Sequence, residues 1–170
     1  LPQKGETIIG ESFEMFLGGK GANQAVAASR AGVNVKFISK IGNDSMGKFA
    51  SSKLKEEELD LSCFETINRS TGTAMINVVD GDNSIVVISG ANDDVMKTDQ
   101  ELESLDFKTG DVLLIQNEIN KNVIERIIKK ASQIGVKIIY NPAPYFKIDE
   151  NIISMVDFIT PNETEYEMMK

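Results

Sequence analysis

Apolar positions along the chain follow two periods, and these divide it into strands and helices. Residues 35–41, 112–116, 136–140 and 156–159 are short apolar runs, the second wholly apolar until its final Gln116. Runs of this length predict strands buried on both faces of a parallel sheet. Between them the spacing turns helical. Val123, Ile124, Ile127, Ile128, Ala131 and Ile134 share one face over residues 122–134, and Gly135 ends the pattern. Met46, Phe49, Ala50 and Leu54 repeat it after a turn and N-cap at Gly42-Asn43-Asp44-Ser45. An Ala-rich stretch over residues 22–31 predicts a third helix with Gly32 as its C-cap.

Other segments break this alternation. Residues 5–17 read as two short strands, Thr7-Ile8-Ile9 and Phe13 to Leu17, separated by Gly10. Residues 64–67 read as a further strand. Residues 73–79 and 84–89 form a predicted hairpin around Asp80-Gly81-Asp82-Asn83. Alternating strands and helices imply a parallel sheet covered on both faces. The two β segments outside that alternation imply a separate small β-structure, such as a lid.

At 170 residues the chain fits one domain with a real core. The net charge of −8 is spread along it without a basic stripe, which argues against nucleic acid or an anionic membrane as partner. A helix N-terminus or one lysine still suffices to hold an anionic ligand such as ATP. There is no histidine, which removes the commonest general base, the Ser-His-Asp triad and His-type zinc sites. Cys63 is the single cysteine and cannot form an intrachain disulfide. No apolar run is long enough for a membrane span and no signal peptide is visible, so a cytoplasmic location is expected. Both ends read as cut: residue 1 is Leu, and residues 162–170 open a helix with no C-cap.

Four places carry candidate chemistry. In Gly18-Gly19-Lys20-Gly21-Ala22-Asn23, adjacent glycines allow a hinge and close backbone approach, and Lys20 and Asn23 fall in the first turn of a helix. Such a turn can gather hydroxyls or an anion; equally, it can be a tight helix that packs closely through its alanines. The run fits neither a Walker A loop nor the dinucleotide fingerprint. Glu118 follows the strand at 112–116, at the carboxyl edge where open α/β sheets bind ligands, and is otherwise a loop carboxylate in water. Asn162 and Glu165, three apart after another strand, can face a polar ligand or hydrated metal, or form a capping box. Asn141, before Pro142 and Pro144, is expected to satisfy loop backbone.

Taken together, Lys4-Gly5-Glu6-Thr7, the run from Gly18 to Ala27, Gly90-Ala91-Asn92, and Asn141-Pro142-Ala143-Pro144 with Thr160-Pro161-Asn162-Glu163-Thr164-Glu165 make a recognisable set. In order and spacing they resemble the ribokinase family, within the PfkB group of carbohydrate kinases, over essentially the whole chain. The Gly-Gly-Lys-Gly-Ala-Asn form is specific. Fructokinase-like relatives usually differ after the two glycines, so the resemblance favours ribose.

The resemblance implies a three-layer, Rossmann-like α/β core over 18–71 and 91–170. A β-sheet lid over 1–17 and 72–90 would be hinged at Gly18-Gly19. It implies a homodimer in which two lids clasp. Lys20 and Asn23 would hydrogen-bond ribose hydroxyls, with the backbone of Gly19, Gly21 and Ala22 alongside. Glu118 matches the family's ribose-binding Glu, and Ala74 would line the lid over the sugar. Asn162 and Glu165 match an Asn-x-x-Glu motif, Asn162 toward ATP phosphates and Glu165 toward magnesium through water. Magnesium-ATP and a potassium ion are implied for the intact protein. The family's first strand, with its Asn-x-Asp sugar contacts, would lie before Leu1. The nucleotide pocket, cation site and Gly-Ala-Gly-Asp motif with the catalytic Asp would lie beyond Lys170. No catalytic residue is therefore expected in this chain, and the 170 residues alone are expected to be inactive. Three functions stay open: a ribose kinase, a kinase for another small substrate such as deoxyribose or a nucleoside, and a non-catalytic sugar-binding or dimerisation module.

Overall fold

The computed structural model describes residues 4–79 and 82–170. Residues 4–19 precede the first element, helix α1 (Lys20–Arg30). Strands β1 (Val35–Lys36) and β2 (Ser39–Gly42) lead to helix α2 (Ser45–Leu54), then β3 (Leu59–Asp60) and β4 (Phe64–Ile67). The hairpin strands are β5 (Thr73–Val79) and β6 (Asp82–Ile88). A 3-10 turn (Gly90–Asp94) and helix α3 (Asp99–Glu103) connect to β7 (Val112–Gln116). Helix α4 (Lys121–Ile134), β8 (Lys137–Asn141), helix α5 (Glu150–Ile153), β9 (Phe158–Ile159) and helix α6 (Glu163–Met169) complete the chain.

All strand pairs outside the hairpin are parallel, as the alternation predicts: β1 with β3, β2 with β4, and β7-β8-β9 as a three-stranded sheet. They form separate patches rather than one sheet. The core lies where α4 covers β7 and β8. Val123, Ile124, Ile127 and Ile128 are buried against Ile115, Ile138 and Tyr140, with Ile148 and Ile152 closing one side. Each fully buried aliphatic side chain contributes about 1.5–3 kcal/mol. The helical spacing read from the sequence is thus the packing surface, and Gly135, at φ 81, closes α4.

Two expectations are corrected. Residues 6–19 form no strand: Ile9 is 98% and Phe13 82% exposed. β-propensity makes a strand only where a neighbouring strand satisfies the backbone groups, and no strand among the described residues pairs with this segment. The strand at 112–116 is buried on one face only. Ile115 packs under α4, whereas Val112 and Leu114, and Phe158 on β9, are exposed on the other. Smaller shifts concern boundaries. The run at 35–41 splits into β1 and β2, and α1 caps at Ala31, where Gly32 and Val33 donate to Ser29 O and Ala28 O. The predicted hairpin pairs with Val79 opposite Asp82, so Asp82 and Asn83 belong to β6. Asp80 and Gly81 of the predicted loop, and Leu1 to Gln3 of the predicted lid, lie outside the described residues.

Candidate functional site

Helix α1 begins without a capping side chain, because its N-cap is Gly19. Gly19 sits at φ 90, a conformation that favours glycine. The missing cap is supplied from across the fold. Glu118, just beyond β7, accepts a hydrogen bond from the Lys20 backbone N–H at 2.5 Å. A carboxylate at a helix N-terminus meets unsatisfied donors and the positive end of the helix dipole. Glu118 is half-buried, so its carboxylate stands at the rim of the site rather than in free solvent.

Asn117 explains why Glu118 is held there. Its side chain is buried, donates to Pro144 O at 2.9 Å and accepts from the Tyr140 hydroxyl at 2.7 Å. Its backbone N–H donates to Ala143 O at 3.1 Å. Burial pushes the Tyr140 phenol above its ordinary pKa, so it stays a neutral donor to Asn117. The carboxyl end of β7 is thereby pinned to the loop after β8.

A second polar run crosses the same edge. Gln116 stands close under α1, its Oε1 3.1 Å from where a Cβ on Gly21 would lie. Gln116 donates to Gln24, Gln24 reaches Asn141 Oδ1 at 3.4 Å, and Asn141 donates to Thr160 O at 2.6 Å. These side-chain amides link the first turns of α1 to the strand ends that precede Asn162. Asn141 therefore bonds toward α1 as well as satisfying the backbone after β9.

The structure brings Gly19, Lys20 and Gly21 together with Glu118 and Gln116. Asn23 is exposed on α1 and lines a shallow groove with Leu17, Val26 and Arg30. Ala22 is buried and packs α1 onto the fold, which favours the packing role of the alanines at that position. Ala74 is exposed on β5, opposite Val87. Asn162 and Glu165 form a complete capping box: Asn162 Oδ1 accepts from Glu165 N and Glu165 Oε2 accepts from Asn162 N, both at 2.8 Å. Among the described residues no three His, Cys, Asp or Glu side chains converge as a metal site. Magnesium held through water by a single carboxylate, as expected for Glu165, needs no such convergence. Sequence reading passed over Asn117, Gln116 and Gln24; the one available signal was that polar residues end an otherwise apolar strand.

A family model described as pfkB family carbohydrate kinase matches residues 1–170. The chain is 40% identical to the ribokinase of Haemophilus influenzae, covering 97% of this chain and 55% of the relative. It is 31% identical to the deoxyribokinase of Salmonella typhi, covering 99% of this chain and 56% of the relative. The solved structure of Arabidopsis thaliana ribokinase complexed with ribose and ATP superposes with a TM-score of 0.84 at 29% identity, covering 97% of this chain and 55% of that one. The chain thus spans about half the length of the proteins it matches. Among the described residues no helix is long and apolar enough to cross a membrane.

Proposed function

The chain belongs to the pfkB family of carbohydrate kinases, and from that premise we propose that the intact protein transfers the γ-phosphoryl group of ATP to D-ribose, giving ribose 5-phosphate. The observation that carries this reading is the Glu118 carboxylate set on the N-terminus of α1, beside Gly19 and Lys20. A carboxylate accepts hydrogen bonds from vicinal hydroxyls, and helix-terminal N–H groups donate to them, which is what a polyol needs. In this reading Lys20 and Asn23 bind ribose hydroxyls, the backbone of Gly19, Gly21 and Ala22 approaches the sugar, and Ala74 lies over it.

Asn162 would reach ATP phosphates, and Glu165 would orient water on magnesium; potassium would serve the intact protein. Phosphoryl transfer depends on positioning and charge neutralisation, and this chain's share of that task is positioning the sugar. We assign residues 1–17 and 72–90 to a lid and the remainder to the core. The apolar side chains exposed on both strands of the hairpin, among them Ile76, Val78, Ile85 and Val87, support a homodimer formed through it.

The test is sugar-dependent ADP release by the intact protein with magnesium-ATP, over ribose, deoxyribose, fructose and nucleosides. Preference for ribose supports the reading, and no turnover on any pentose refutes it. The similarity to a deoxyribokinase makes deoxyribose the second substrate to try. A non-catalytic module predicts ribose binding by calorimetry with no ATP use.

A further inference from the structure

We propose that Asp44 and Thr71 are positioning residues for this site: they fix the root of the β5–β6 hairpin, and through it the strand that carries Ala74. The inference rests on the sugar-kinase reading above and adds to it a device that reading does not use.

Asp44 caps α2, accepting from Gly47 N at 2.8 Å. The same carboxylate also holds Thr71, from its backbone N–H at 2.8 Å and its hydroxyl at 2.6 Å. Thr71 Oγ1 in turn accepts from Gly42 N at 3.0 Å. One side chain therefore ties together the end of β2, the start of α2 and the segment entering β5. The Thr71 hydroxyl bond, with those from the Thr71 and Gly47 N–H groups, holds the Asp44 carboxyl below the usual range, so it stays ionised at neutral pH. Thr71 is itself buried.

Packing around this tie leaves no slack. A Cβ on Gly42 would stand 2.1 Å from Arg69 O, and one on Gly47 would stand 2.1 Å from Gly42 O and 2.8 Å from Thr71 Oγ1. The other side of the root is equally close. A Cβ on Gly72 would meet Ser89 O at 2.8 Å and Asn92 Nδ2 at 2.6 Å, and one on Gly90 would meet Ser70 O at 2.4 Å. Ala91 N donates to Ser70 O at 2.8 Å. Both ends of the hairpin are thus clamped against one another and against α2, whereas most of its length beyond the root is exposed.

Clamping at the root matters because an error there grows along the strand. At about 3.3 Å per residue, Ala74 lies roughly 10 Å along the chain from Thr71, so a tilt of about 10° moves it by nearly 2 Å. A misplacement of about 1 Å in a site that orients a substrate can cost ~100-fold in rate. The bond from the Thr71 hydroxyl to a charged acceptor, one of the stronger kinds, is what the geometry sets against that tilt.

The experiment uses the intact protein with Thr71→Val, which removes the hydroxyl and keeps the shape, and Thr71→Ser, which keeps the hydroxyl. Asp44→Asn is the second variant. It retains a good N-cap but turns one acceptor oxygen into a donor facing Thr71. KM for sugar, KM for ATP, kcat and the amide hydrogen exchange of β5 are measured. Thr71→Val and Asp44→Asn are expected to raise the sugar KM about tenfold, leave the ATP KM within about twofold, and speed β5 exchange about tenfold. Thr71→Ser is expected to match wild type. A Thr71→Val protein with the wild-type sugar KM overturns the proposal. So does a rise shared equally by both substrates, or one that Thr71→Ser does not rescue. If the unmodified protein phosphorylates no sugar, the sugar-kinase reading has failed instead, and exchange decides: wild-type β5 rates in Thr71→Val overturn the clamp.

Discussion

Replacing Glu118 separates the capping role that the structure shows from the sugar-binding role proposed for the same carboxylate. Because Gly19 carries no capping side chain, the bond from Lys20 N–H to Glu118 stands in for an N-cap. Loss of a cap costs about 1 kcal/mol, and loss of a charge at the helix N-terminus about 0.5 kcal/mol more. Glu118→Ala should therefore lower stability by about 1.5 kcal/mol, whereas Glu118→Gln keeps an acceptor and should lose only about 0.5 kcal/mol. With a urea m-value of about 2 kcal/mol per molar, the midpoints fall by about 0.7 M and 0.25 M. The second assay is ribose titration by calorimetry. In the proposed sugar site the charged acceptor carries the binding, so Glu118→Gln should weaken it at least tenfold despite its small effect on folding. An unchanged urea midpoint for Glu118→Ala refutes the capping argument. Wild-type ribose affinity in Glu118→Gln refutes the sugar-site argument.

Acid should act on the carboxylates whose pKa the fold lowers, Glu101 and Asp44 among them. Burial works against ionisation of Glu101, but bonds from Lys40 and Thr98 outweigh it and lower its pKa; the Thr71 hydroxyl lowers that of Asp44. Groups depressed in the folded state add stability above their unfolded pKa and lose it as pH falls through the folded one. Thermal stability should then be flat through neutral pH and decline below about pH 4, and a decline already complete at pH 6 contradicts this assignment. Gly47→Ala should destabilise by about 2–3 kcal/mol, since its Cβ meets the backbone at 2.1 Å. Gly135→Ala, strained at φ 81 but with no atom within 4 Å, should cost only about 1–2 kcal/mol; equal urea midpoints for the two variants contradict the contact geometry. Lysine at Ile85 and Val87, exposed by 52% and 70%, should reduce self-association in light scattering without lowering the melting temperature.

The parts of this protein legible from sequence are those fixed by local pattern. The face of α4 could be read because packing demands the same residues at the same spacing, and β7 and β8 because parallel strands need apolar runs. The β5–β6 hairpin is visible as two β-prone runs around a Gly-containing loop. What could not be read is what depends on distant partners. Residues 6–19 have strand-like composition yet join no strand ladder among the described residues, and composition carries no information about which neighbour a strand will find. Val112 and Leu114 read as buried, but burial depends on what covers the second face. At the site, the glycine run and Glu118 stood out singly, 98 residues apart; only folding puts the carboxylate on the helix end. Asn117 showed only as a polar residue after an apolar strand, because a buried amide satisfied by a carbonyl and a phenol has no short-range signature of its own.

At Asn162 and Glu165 the capping role that the structure shows and the ligand role proposed above would share two side chains. The capping box uses Asn162 Oδ1 and Glu165 Oε2, each accepting a backbone N–H. The Asn162 amide also carries two N–H donors and the Glu165 carboxylate a second oxygen, and the capping box uses none of these. Those spare groups have the polarity the proposed function requires: donors toward phosphate oxygens, and an anionic acceptor toward water on a cation. The cap does more than coexist with that role. By accepting at one atom of each side chain, it restrains both rotamers, so that in the proposed function the helix start would orient the motif before any ligand arrives. The capping explanation of the spacing and the proposed functional one would then be the same geometry used at different atoms.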